Sequence, residues 1–291
     1  MGGRHMVRNL EDKLFNAVVY SVLVLCALLA VFPLMYVVSV SVTPFGEVLR
    51  NGGFILIPRE ITFTAYETLL TESNLPQAFK VTVILTVVGT AINLVLTGLM
   101  AYPLSRKLLP GRQFFLLMIV FTLIFGGGLI PTYLTVKAVG LLDTICAMIL
   151  PNAIWSFNVL IMKSFFEGLP EELFESARMD GAKEFRILLQ IVTPLSVPVI
   201  LTVGLFYLVG HWNEFFQAIF YVTDRTLFPL QVIVREILMQ SQQPLENADN
   251  MMPTQTMQMA SVMIASLPVL IVYPFIQKHF TKGMLLGSIK G

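Results

Sequence analysis

The chain has 291 residues, of which 56% are hydrophobic and 13% are charged, and its mean hydropathy is +0.77. A soluble domain carries roughly a quarter charged residues, so this composition excludes an ordinary soluble fold and indicates a chain that lies mostly in lipid. The formal net charge of +1 excludes a strong electrostatic attraction to nucleic acid. The expected fold class is an all-α integral membrane protein.

The N-terminal residues indicate where the folded chain begins. Residues 1–6, MGGRHM, resemble the remainder of an expression tag ahead of a native Met6, so one transmembrane domain is expected over residues 7–291. The first apolar run has no small-residue cleavage site at its end. We therefore expect it to be a retained anchor rather than a cleaved signal peptide.

Six segments are apolar enough to cross a membrane as helices, which requires about 20 mostly apolar residues. Five of them contain few or no charges, whereas the fifth in chain order is interrupted by HWNE at positions 211–214. The predicted spans are Leu14–Val42, Phe79–Pro103, Phe114–Tyr133, Asp143–Phe165, Val197–Val222 and Gln258–Phe280. Cys26 and Cys146 lie in these apolar runs and are expected to be buried, inert thiols rather than a redox pair.

The distribution of lysine and arginine predicts the orientation of these spans, because cytoplasmic connections carry an excess of both residues. With the N-terminus inside, the inside segments hold Arg4, Arg8, Lys13, Arg106, Lys107, Arg112, Lys163, Arg178, Lys183, Arg186, Lys278, Lys282 and Lys290. The outside segments hold only Arg50, Arg59, Lys137, Arg225 and Arg235, and Lys80 lies at a boundary. Both termini are therefore expected in the cytoplasm.

Two long connections fall on the outside face, at residues 43–78 and 223–257. The first is polar and broken by Pro44, Pro58 and Pro76. The second, an extracytoplasmic loop, contains LFPLQVIVREILMQ with helical spacing, followed by the loop-like QSQQPLENADNMMPTQ. Connections of this length are usually functional or disordered. They predict an external docking surface, and passive lids are the alternative.

The most unusual segment is a charged stretch, EELFESARMDGAKEF, at residues 171–185. Gly168 and Pro170 are expected to end the preceding helix, and proline is favoured in the first turn of a new one. Acidic residues then lie at the positive end of the helix dipole. Gly181 is expected to end this helix, because glycine adopts the left-handed conformation of many helix C-termini.

Apolar residues of this stretch form faces at helical spacing. Leu173, Phe174 and Ala177 form one face of the first helix, and a second amphipathic segment carries Phe185, Leu188, Leu189 and Val192. Pro194 and Pro198 lead into the fifth span. Composition alone leaves two interpretations open: a helix that inserts into the groove of a partner protein, or a solvated cytoplasmic loop.

A family resemblance favours the first interpretation. Glu175-Ser176-Ala177, Gly181, Ile191 and Pro194 resemble the EAA–G–I-LP signature of the permease subunits of bacterial ABC importers. Ser176 stands where the family has a second alanine, and Thr193 stands where leucine is usual. The segments FGGGLIPTYLTVKAVGLLDT, LIMKSFFEGLPEELFESARMDGA, GHWNEFFQAIFYV and MLLGSIKG are similar to carbohydrate-uptake permeases of the MalG type. GGGLIPTY and FPLQVIVREIL are similar to a subgroup that serves uronide-rich oligosaccharides, alginate among them.

The resemblance implies a type I ABC importer permease fold with six transmembrane helices in the bacterial inner membrane. It implies a heterodimer with a sister permease, two ATPase subunits that bind ATP and Mg²⁺, and an extracytoplasmic solute-binding protein that delivers an oligosaccharide to the 223–257 loop. No cofactor, metal or catalytic residue is implied for this chain. The resemblance also implies that residues 167–194 form a cytoplasmic loop that contains the coupling helix. It places the C-terminal residues Gly287–Gly291 near the ATPase subunits.

The residues implied to couple this chain to an ATPase subunit form one continuous run. They are Glu171, Glu172, Leu173, Phe174, Glu175, Ser176, Ala177, Arg178, Met179, Asp180 and Gly181.

Polar and aromatic residues within the spans are candidates for the sugar path, because such side chains hold oligosaccharides and tend to face protein or water. The candidates are Asn93, Asn152, Trp155, Asn158, Trp212, Asn213 and Glu214, with His211 beside them. Hydrogen bonds between helices are the competing interpretation, and the tryptophans are also typical of the membrane interface.

The residues alone leave two other classes of protein as alternatives. An ion-coupled secondary transporter would use an intramembrane carboxylate, for which Glu214 is the candidate, but no internal repeat is visible. A metalloenzyme would need more ligands than the His211 and Glu214 pair supplies. Gly126-Gly127-Gly128 lacks the lysine of a phosphate loop and predicts a helix bend or close packing instead.

Overall fold

The structure is a computed structural model that describes the backbone of residues 10–240 and 254–288 and the side chains of residues 13–240 and 254–272. Every regular element in this described part is helical, which confirms the expected all-α class. In chain order the helices are α1 Leu10–Ser41, α2 Phe45–Arg50, α3 Thr64–Thr71, α4 Leu75–Ser105, α5 Arg112–Ile124, α6 Leu129–Ala138, α7 Ile145–Ile149, α8 Ser156–Glu167, α9 Glu171–Met179, α10 Glu184–Ile187, α11 Thr193–Leu195, α12 Val197–Trp212, α13 Phe216–Tyr221, α14 Leu230–Gln240 and α15 Gln255–Ser288. A π-helical turn occupies Leu188–Val192, and 3-10 turns occupy Leu150–Asn152 and Arg225–Leu227.

Three uninterrupted segments of the described chain are long and apolar enough to cross a membrane: Lys13–Ser41, Leu75–Ser105 and Gln255–Val272. They match the first, second and sixth predicted spans. Three further segments reach that length only when two helices on either side of a short break are counted together. The described residues therefore provide six spans if each bent pair crosses as one unit.

The third and fourth predicted spans are wrong as continuous helices, whereas the fifth is broken near HWNE, where the sequence predicted an interruption. The axes of α5 and α6 differ by 115° across residues 125–128, where Gly128 has a φ of +82°. The fourth span bends by 56° after the 3-10 turn at Pro151. In the fifth, residues 213–215 separate α12 from α13, and a further bend of 85° at Ser196 precedes α12. Glycine and proline break the backbone ladder at the first two bends. The glycine run makes a bend without close packing, since a Cβ added at Gly126 would meet nothing within 4 Å.

The chain divides into two compact units. The first comprises residues 1–72 and 237–264, and in its described part the chain after α1 folds back as α2 and α3. Tyr36 donates a hydrogen bond to the Gly53 carbonyl at 2.9 Å, and Gln255 Nε2 donates to the Tyr36 hydroxyl at 2.8 Å. Val40, Val48 and Ile55 are buried beneath this contact. The connection at residues 43–78 is therefore partly helical, which its prolines did not indicate.

The second unit comprises residues 73–236 and 265–291, and α4 lies at its centre, packed against α8 and α12. Small residues permit the close approach of these helices. A Cβ added at Gly89 would lie 2.6 Å from His211 Nε2, and one added at Gly210 would lie 2.6 Å from the Trp155 ring. The inner core continues with Tyr102, Val159, Phe166, Phe174 and Tyr207, all nearly inaccessible to solvent.

The expectation of buried cysteines is wrong. Cys26 on α1 and Cys146 on α7 are both free thiols, and both are exposed on this chain. The apolar runs that contain them present a face outward, which in a membrane is covered by lipid or by another chain rather than by the protein's own core. Residues 1–6, the segment 241–253, the side chain of His279 and the tail at 289–291 lie outside the described residues.

Candidate functional site

The charged stretch folds as predicted into a short, separate helix. The preceding α8 ends at Glu167, Pro170 immediately precedes α9, and Asp180 follows its last turn. Gly181 has a φ of +79°, and the Ala182 amide donates to the Ala177 carbonyl at 2.9 Å. This geometry is a left-handed helix terminus, for which glycine is the favoured residue.

One face of α9 is buried in the core of the second unit, to which the helix belongs. Phe174 is completely inaccessible and Ala177 is nearly so, whereas Leu173 is 38% exposed. The buried face therefore follows an i, i+3 spacing, and Leu173 lies at its edge. Most of the other residues of the predicted coupling run are exposed, among them Glu172, Glu175 and Ser176.

A buried cation holds α9 in place. The Arg106 guanidinium lies 3.6 Å from the centre of the Phe174 ring and donates from Nη2 to the Phe166 carbonyl at 2.9 Å. Its Nη1 lies 3.5 Å from a Glu171 carboxylate oxygen, and its side chain is only 11% exposed. Burial lowers the pKa of Arg106, and the Glu171 charge opposes that shift. An arginine stacked on an aromatic face is a cation–π contact, which is stronger when it is desolvated.

A second polar contact joins the end of α9 to α4. Glu184 accepts a hydrogen bond from the Tyr102 hydroxyl at 2.5 Å and another from Arg178 Nε at 3.0 Å. Arg178 Nη1 also lies 3.8 Å from Glu171. The hydrogen bond to Glu184 raises the pKa of Arg178. Sequence reasoning did not single out Arg106, Tyr102 or Glu184, because their roles depend on contacts distant along the chain.

The turn between α9 and α10 is flanked by exposed apolar side chains. Met179 is 88% exposed and Phe185 is 62% exposed, and both flank the Gly181 turn. Contiguous exposed apolar surface is typical of sites of association, and these two side chains provide an apolar contact beside the charged residues of α9. This end of α9 is therefore suited to contact with another protein.

Three of the sugar-path candidates come together in the second unit. Trp155, Asn158 and Trp212 line a cavity of about 760 Å³ bounded by α4, α8, α12 and α15. Apart from Asn158 and Thr86, its lining is apolar or aromatic. The Trp212 indole donates to the Ala265 carbonyl at 3.1 Å, and the Trp155 amide donates to the Tyr207 hydroxyl at 3.0 Å. Both tryptophans thus bridge helices.

Asn93 lies away from this cavity, in a contact between α4 and α12. Its amide nitrogen is 3.0 Å from His211 Nε2, and both residues are buried. One step further along the same interface, Thr97 and Tyr207 share a hydrogen bond of 2.7 Å. These pairs match the expectation of hydrogen bonding between helices.

The remaining candidates cap local structure or face outward. Asn213 donates to the Val209 carbonyl at 2.8 Å, and Asn152 is exposed in the bend of the fourth span. Glu214 Oε1 accepts from the amides of Phe215 and Gln217, at 3.1 and 3.0 Å. The carboxylate therefore accepts hydrogen bonds from amides at the start of α13 that would otherwise lack a partner within the helix. In the described part of the chain, no group of three or more His, Cys, Asp or Glu side chains could hold a metal ion.

The connection before α7 contains an additional polar contact. Asp143, which precedes α7, has a φ of +55° and is the one non-glycine residue with positive φ among those described. Its carboxylate accepts from the Thr223 amide at 2.5 Å, from the Thr223 hydroxyl and from the Asp224 amide at 3.1 Å. These bonds, the Thr223 amide first, hold the pKa of Asp143 below its ordinary value. The carboxylate thus fastens the start of the fourth span to the end of α13.

Comparison with known proteins identifies the class of chain that carries these features. A family described as "Binding-protein-dependent transport system inner membrane component" matches residues 112–286, which include α8, α9 and α12 but not α4. The chain belongs to this family. The resemblance to the permease subunits of ABC importers is confirmed.

Individual relatives cover nearly the whole permease. It is 44% identical over 287 residues to the polygalacturonan/rhamnogalacturonan transport system permease protein YtcP of Bacillus subtilis, which covers 97% of this chain and 100% of the relative. It is also 44% identical to Protein LplC of Bacillus subtilis, over 90% of each chain. Among solved structures, a bacterial ABC transporter involved in the import of the acidic polysaccharide alginate matches with a TM-score of 0.87 and 31% identity. That match covers 94% of the permease and 98% of the other chain.

Proposed function

We propose that the permease forms half of the translocation path of an ATP-driven importer of acidic, uronate-rich oligosaccharides. Six spans cross the bacterial inner membrane with both termini in the cytoplasm. A sister permease completes the path, two ATPase subunits bind ATP and Mg²⁺ below it, and a solute-binding protein docks on the outer face, the 223–257 loop included. The Lys and Arg bias of the connections supports this orientation.

The observation that carries the proposal is the geometry of α9. The helix is anchored through Phe174 and Ala177 and exposes Met179 at its outward end. It carries Glu175-Ser176-Ala177, which with Gly181 resembles the family signature except at Ser176, and it lies where the charge bias places the cytoplasm. In this proposal residues 171–181 fit a groove of one ATPase subunit and follow its movement during ATP hydrolysis.

The class of substrate is proposed from two independent likenesses. One curated relative is named for polygalacturonan and rhamnogalacturonan, and one structural match imports alginate, described as an acidic polysaccharide. Both comparisons point to polymers that contain uronic acids. The cavity lined by Trp155 and Trp212 offers aromatic faces, which suit sugar rings, whereas the amide of Asn158 is buried behind its wall.

The test uses the assembled importer in proteoliposomes, with the candidate sister permease, ATPase and binding protein. We predict that Met179→Asp lowers sugar-stimulated ATPase activity about tenfold, because a buried interface charge costs at least 1.4 kcal/mol. Leu108→Asp is the matched control, since Leu108 is 86% exposed and precedes α5 outside the signature. Undiminished activity of Met179→Asp would overturn the docking role of α9.

The substrate is tested in the same vesicles with the binding protein loaded in turn with oligogalacturonate, alginate oligosaccharide and neutral arabino-oligosaccharide. We expect an acidic sugar to stimulate ATP hydrolysis and uptake, and the neutral sugar to do neither. An ion-coupled secondary transporter is the alternative. Uptake by the permease alone, driven by an ion gradient without ATP, would support that alternative and exclude the importer.

A further inference from the structure

The covalent connections of α9 to its neighbours are poor transmitters of force. Before the helix, residues 168–170 form a non-helical link, and after it the chain turns at Gly181 with positive φ. Beyond α10, the π-helical turn Leu188–Val192 and the break at Ser196 separate the stretch from α12, which lies at 85° to it. Such interruptions allow a helix to change direction.

The apolar face of α9 packs in one core with residues of α8, α10 and the π-helical turn, and its polar contacts extend to the end of α4. Arg106 directly follows α4, and its guanidinium stacks on Phe174 and faces Glu171. Tyr102, on the last turns of α4, donates to Glu184, which also holds Arg178. Charged and aromatic groups from both ends of α9 therefore converge on the inner end of α4.

The contact between Arg106 and Phe174 is shielded from solvent. Phe174 is completely inaccessible, and the Arg106 side chain is 11% exposed and bonded to the Phe166 carbonyl. A planar guanidinium can stack and donate at the same time, which an ammonium group cannot do in the same way. A displacement of α9 relative to α4 would separate a desolvated cation from its partners, which is costly.

The helix at the other end of this contact is long and continuous. α4 has 31 residues, so it extends about 46 Å at 1.5 Å per residue. At mid-length it is joined to α12 through Asn93 and His211 and through Thr97 and Tyr207. Pro103 interrupts the backbone hydrogen bonding in the last turn of α4, between Arg106 and Tyr102. From Tyr102 back to Asn93 the helix contains no proline, so a movement applied at Tyr102 would reach the middle of the second unit along an uninterrupted helix.

We propose that Arg106 and Tyr102 are positioning residues that make α9 and α4 one rigid lever, so that movement of the coupling helix enters the membrane along α4. This inference rests on the proposed coupling function of α9. It assigns the transmission of movement to side-chain contacts distant along the chain rather than to the links that flank α9.

The experiment compares transport with ATP hydrolysis in the reconstituted importer. The variants are Arg106→Gln, Arg106→Lys, Phe174→Leu and the double variant Arg106→Gln/Phe174→Leu. Lys107→Gln is the control, because Lys107 is the adjacent cation and is exposed. The readout is the amount of sugar transported per ATP hydrolysed, measured in complexes that contain equal amounts of all subunits.

We expect sugar transported per ATP to fall about fivefold in Arg106→Gln and Phe174→Leu, a size typical of changes within a coupling network. Arg106→Lys should be intermediate, because lysine keeps the charge and loses the planar stack. The double variant should equal the lower single variant, since both changes remove one contact. Lys107→Gln should match the unmodified importer.

The outcomes separate this inference from the function on which it rests. A normal ratio of transport to hydrolysis in Arg106→Gln and Phe174→Leu, together with loss of activity in Met179→Asp, would overturn the lever and leave the docking function standing. Losses that multiply in the double variant, or failure of every variant to assemble, would show a purely structural role and also overturn it. Normal activity of Met179→Asp would instead remove the coupling function itself.

Discussion

At the scale of single residues, the packing of the second unit depends on glycines that face large side chains. Gly89 lies under the His211 ring, and Gly210 lies under the Trp155 ring, each with no room for a Cβ. Helices in membranes approach closely where such small residues occur. Here the close approach also positions a hydrogen bond, because the His211 ring that fills the space beside Gly89 is bonded to Asn93.

Substitution of this glycine should destabilise the permease. A methyl group at position 89 would lie 2.6 Å from His211 Nε2, so the buried ring would have to move and lose its bond to Asn93. We predict that Gly89→Ala lowers the free energy of unfolding by about 1–3 kcal/mol, the usual cost of overpacking. Thermal unfolding of the purified importer in detergent measures the effect.

The control for this prediction lies on the same helix. Gly98 is also inside α4, and an added Cβ there would meet only the Met162 sulfur at 3.8 Å. Gly98→Ala should leave stability unchanged or raise it by up to about 1 kcal/mol, since alanine favours helix. Equal melting temperatures for the two variants would contradict the importance of the contact between Gly89 and His211.

At the scale of elements, the short helix α13 begins at a carboxylate. Glu214 accepts the amides of Phe215 and Gln217, which would otherwise have no partner at the helix start. The one carboxylate that the sequence suggested for ion coupling is thus engaged in local structure. The two roles predict different behaviour of the same pair of variants.

If Glu214 acts as a cap, Glu214→Gln should keep most transport activity, because the amide oxygen can still accept both hydrogen bonds. Glu214→Ala should lower the free energy of unfolding by about 1 kcal/mol, the typical cost of a lost cap. Uptake in proteoliposomes and thermal unfolding are the measurements. Complete loss of uptake in Glu214→Gln at normal stability would instead assign the carboxylate a role in the path.

A second carboxylate, that of Asp143, joins two connections and makes the stability of the permease depend on pH. Its pKa is lower in the folded chain than in the unfolded chain, for which about 3.9 is the reference. Its contribution to stability is therefore fully present above the unfolded pKa and is lost as the pH falls through the folded pKa. We predict that Asp143→Ala is less stable than the unmodified permease at neutral pH.

This difference should shrink as the pH is lowered from neutral to about 3, below the reference pKa. Melting temperatures of both proteins over this range provide the test. Asp224→Ala is a suitable control, because Asp224 accepts from Thr226 within its own turn and bonds Asp143 only through its backbone amide. A difference between the Asp143→Ala and unmodified proteins that does not change with pH would contradict the assignment.

At the scale of the whole molecule, the orientation of the chain can be tested directly. Lys107 and Lys137 lie on opposite sides in the proposed topology; Lys107 follows α4, and Lys137 lies in the last turn of α6. We predict that Lys107→Cys reacts only with a membrane-permeant thiol reagent in intact cells, whereas Lys137→Cys also reacts with an impermeant one. Cys26→Ser and Cys146→Ser provide the background, since both native thiols are exposed on this chain.

The reverse pattern of labelling would invert the proposed topology, and labelling of both positions from one side would remove the bent pair α5–α6 from the set of spans. That pair is the most informative region to test. Its axes differ by 115°, so α5 and α6 are consistent either with a broken span or with a segment that returns to the side from which it entered.

The sequence predicted what short-range chemistry determines. The Pro170 start and Gly181 end of α9 follow from residues that fix the local backbone, and the helical spacing of Leu230–Gln240 identified α14. The breaks at Gly126–Gly128 and at HWNE were predicted, whereas the bend of the fourth span was not, because hydropathy averages over breaks of a few residues. Arg106 and Asp143 were not identified, since their partners Phe174 and Thr223 are distant along the chain.

The break between α5 and α6 has a consequence for biosynthesis. At 13 residues, α5 extends only about 20 Å, less than the hydrocarbon thickness. The backbone groups of residues 125–128 need partners that lipid does not supply. As the ribosome delivers the chain, α1 and α4 can each enter the bilayer alone, whereas α5–α6 should wait at the membrane surface for helices made later. A nascent chain arrested before Val197 would then hold two integrated helices and a protease-accessible segment 112–138.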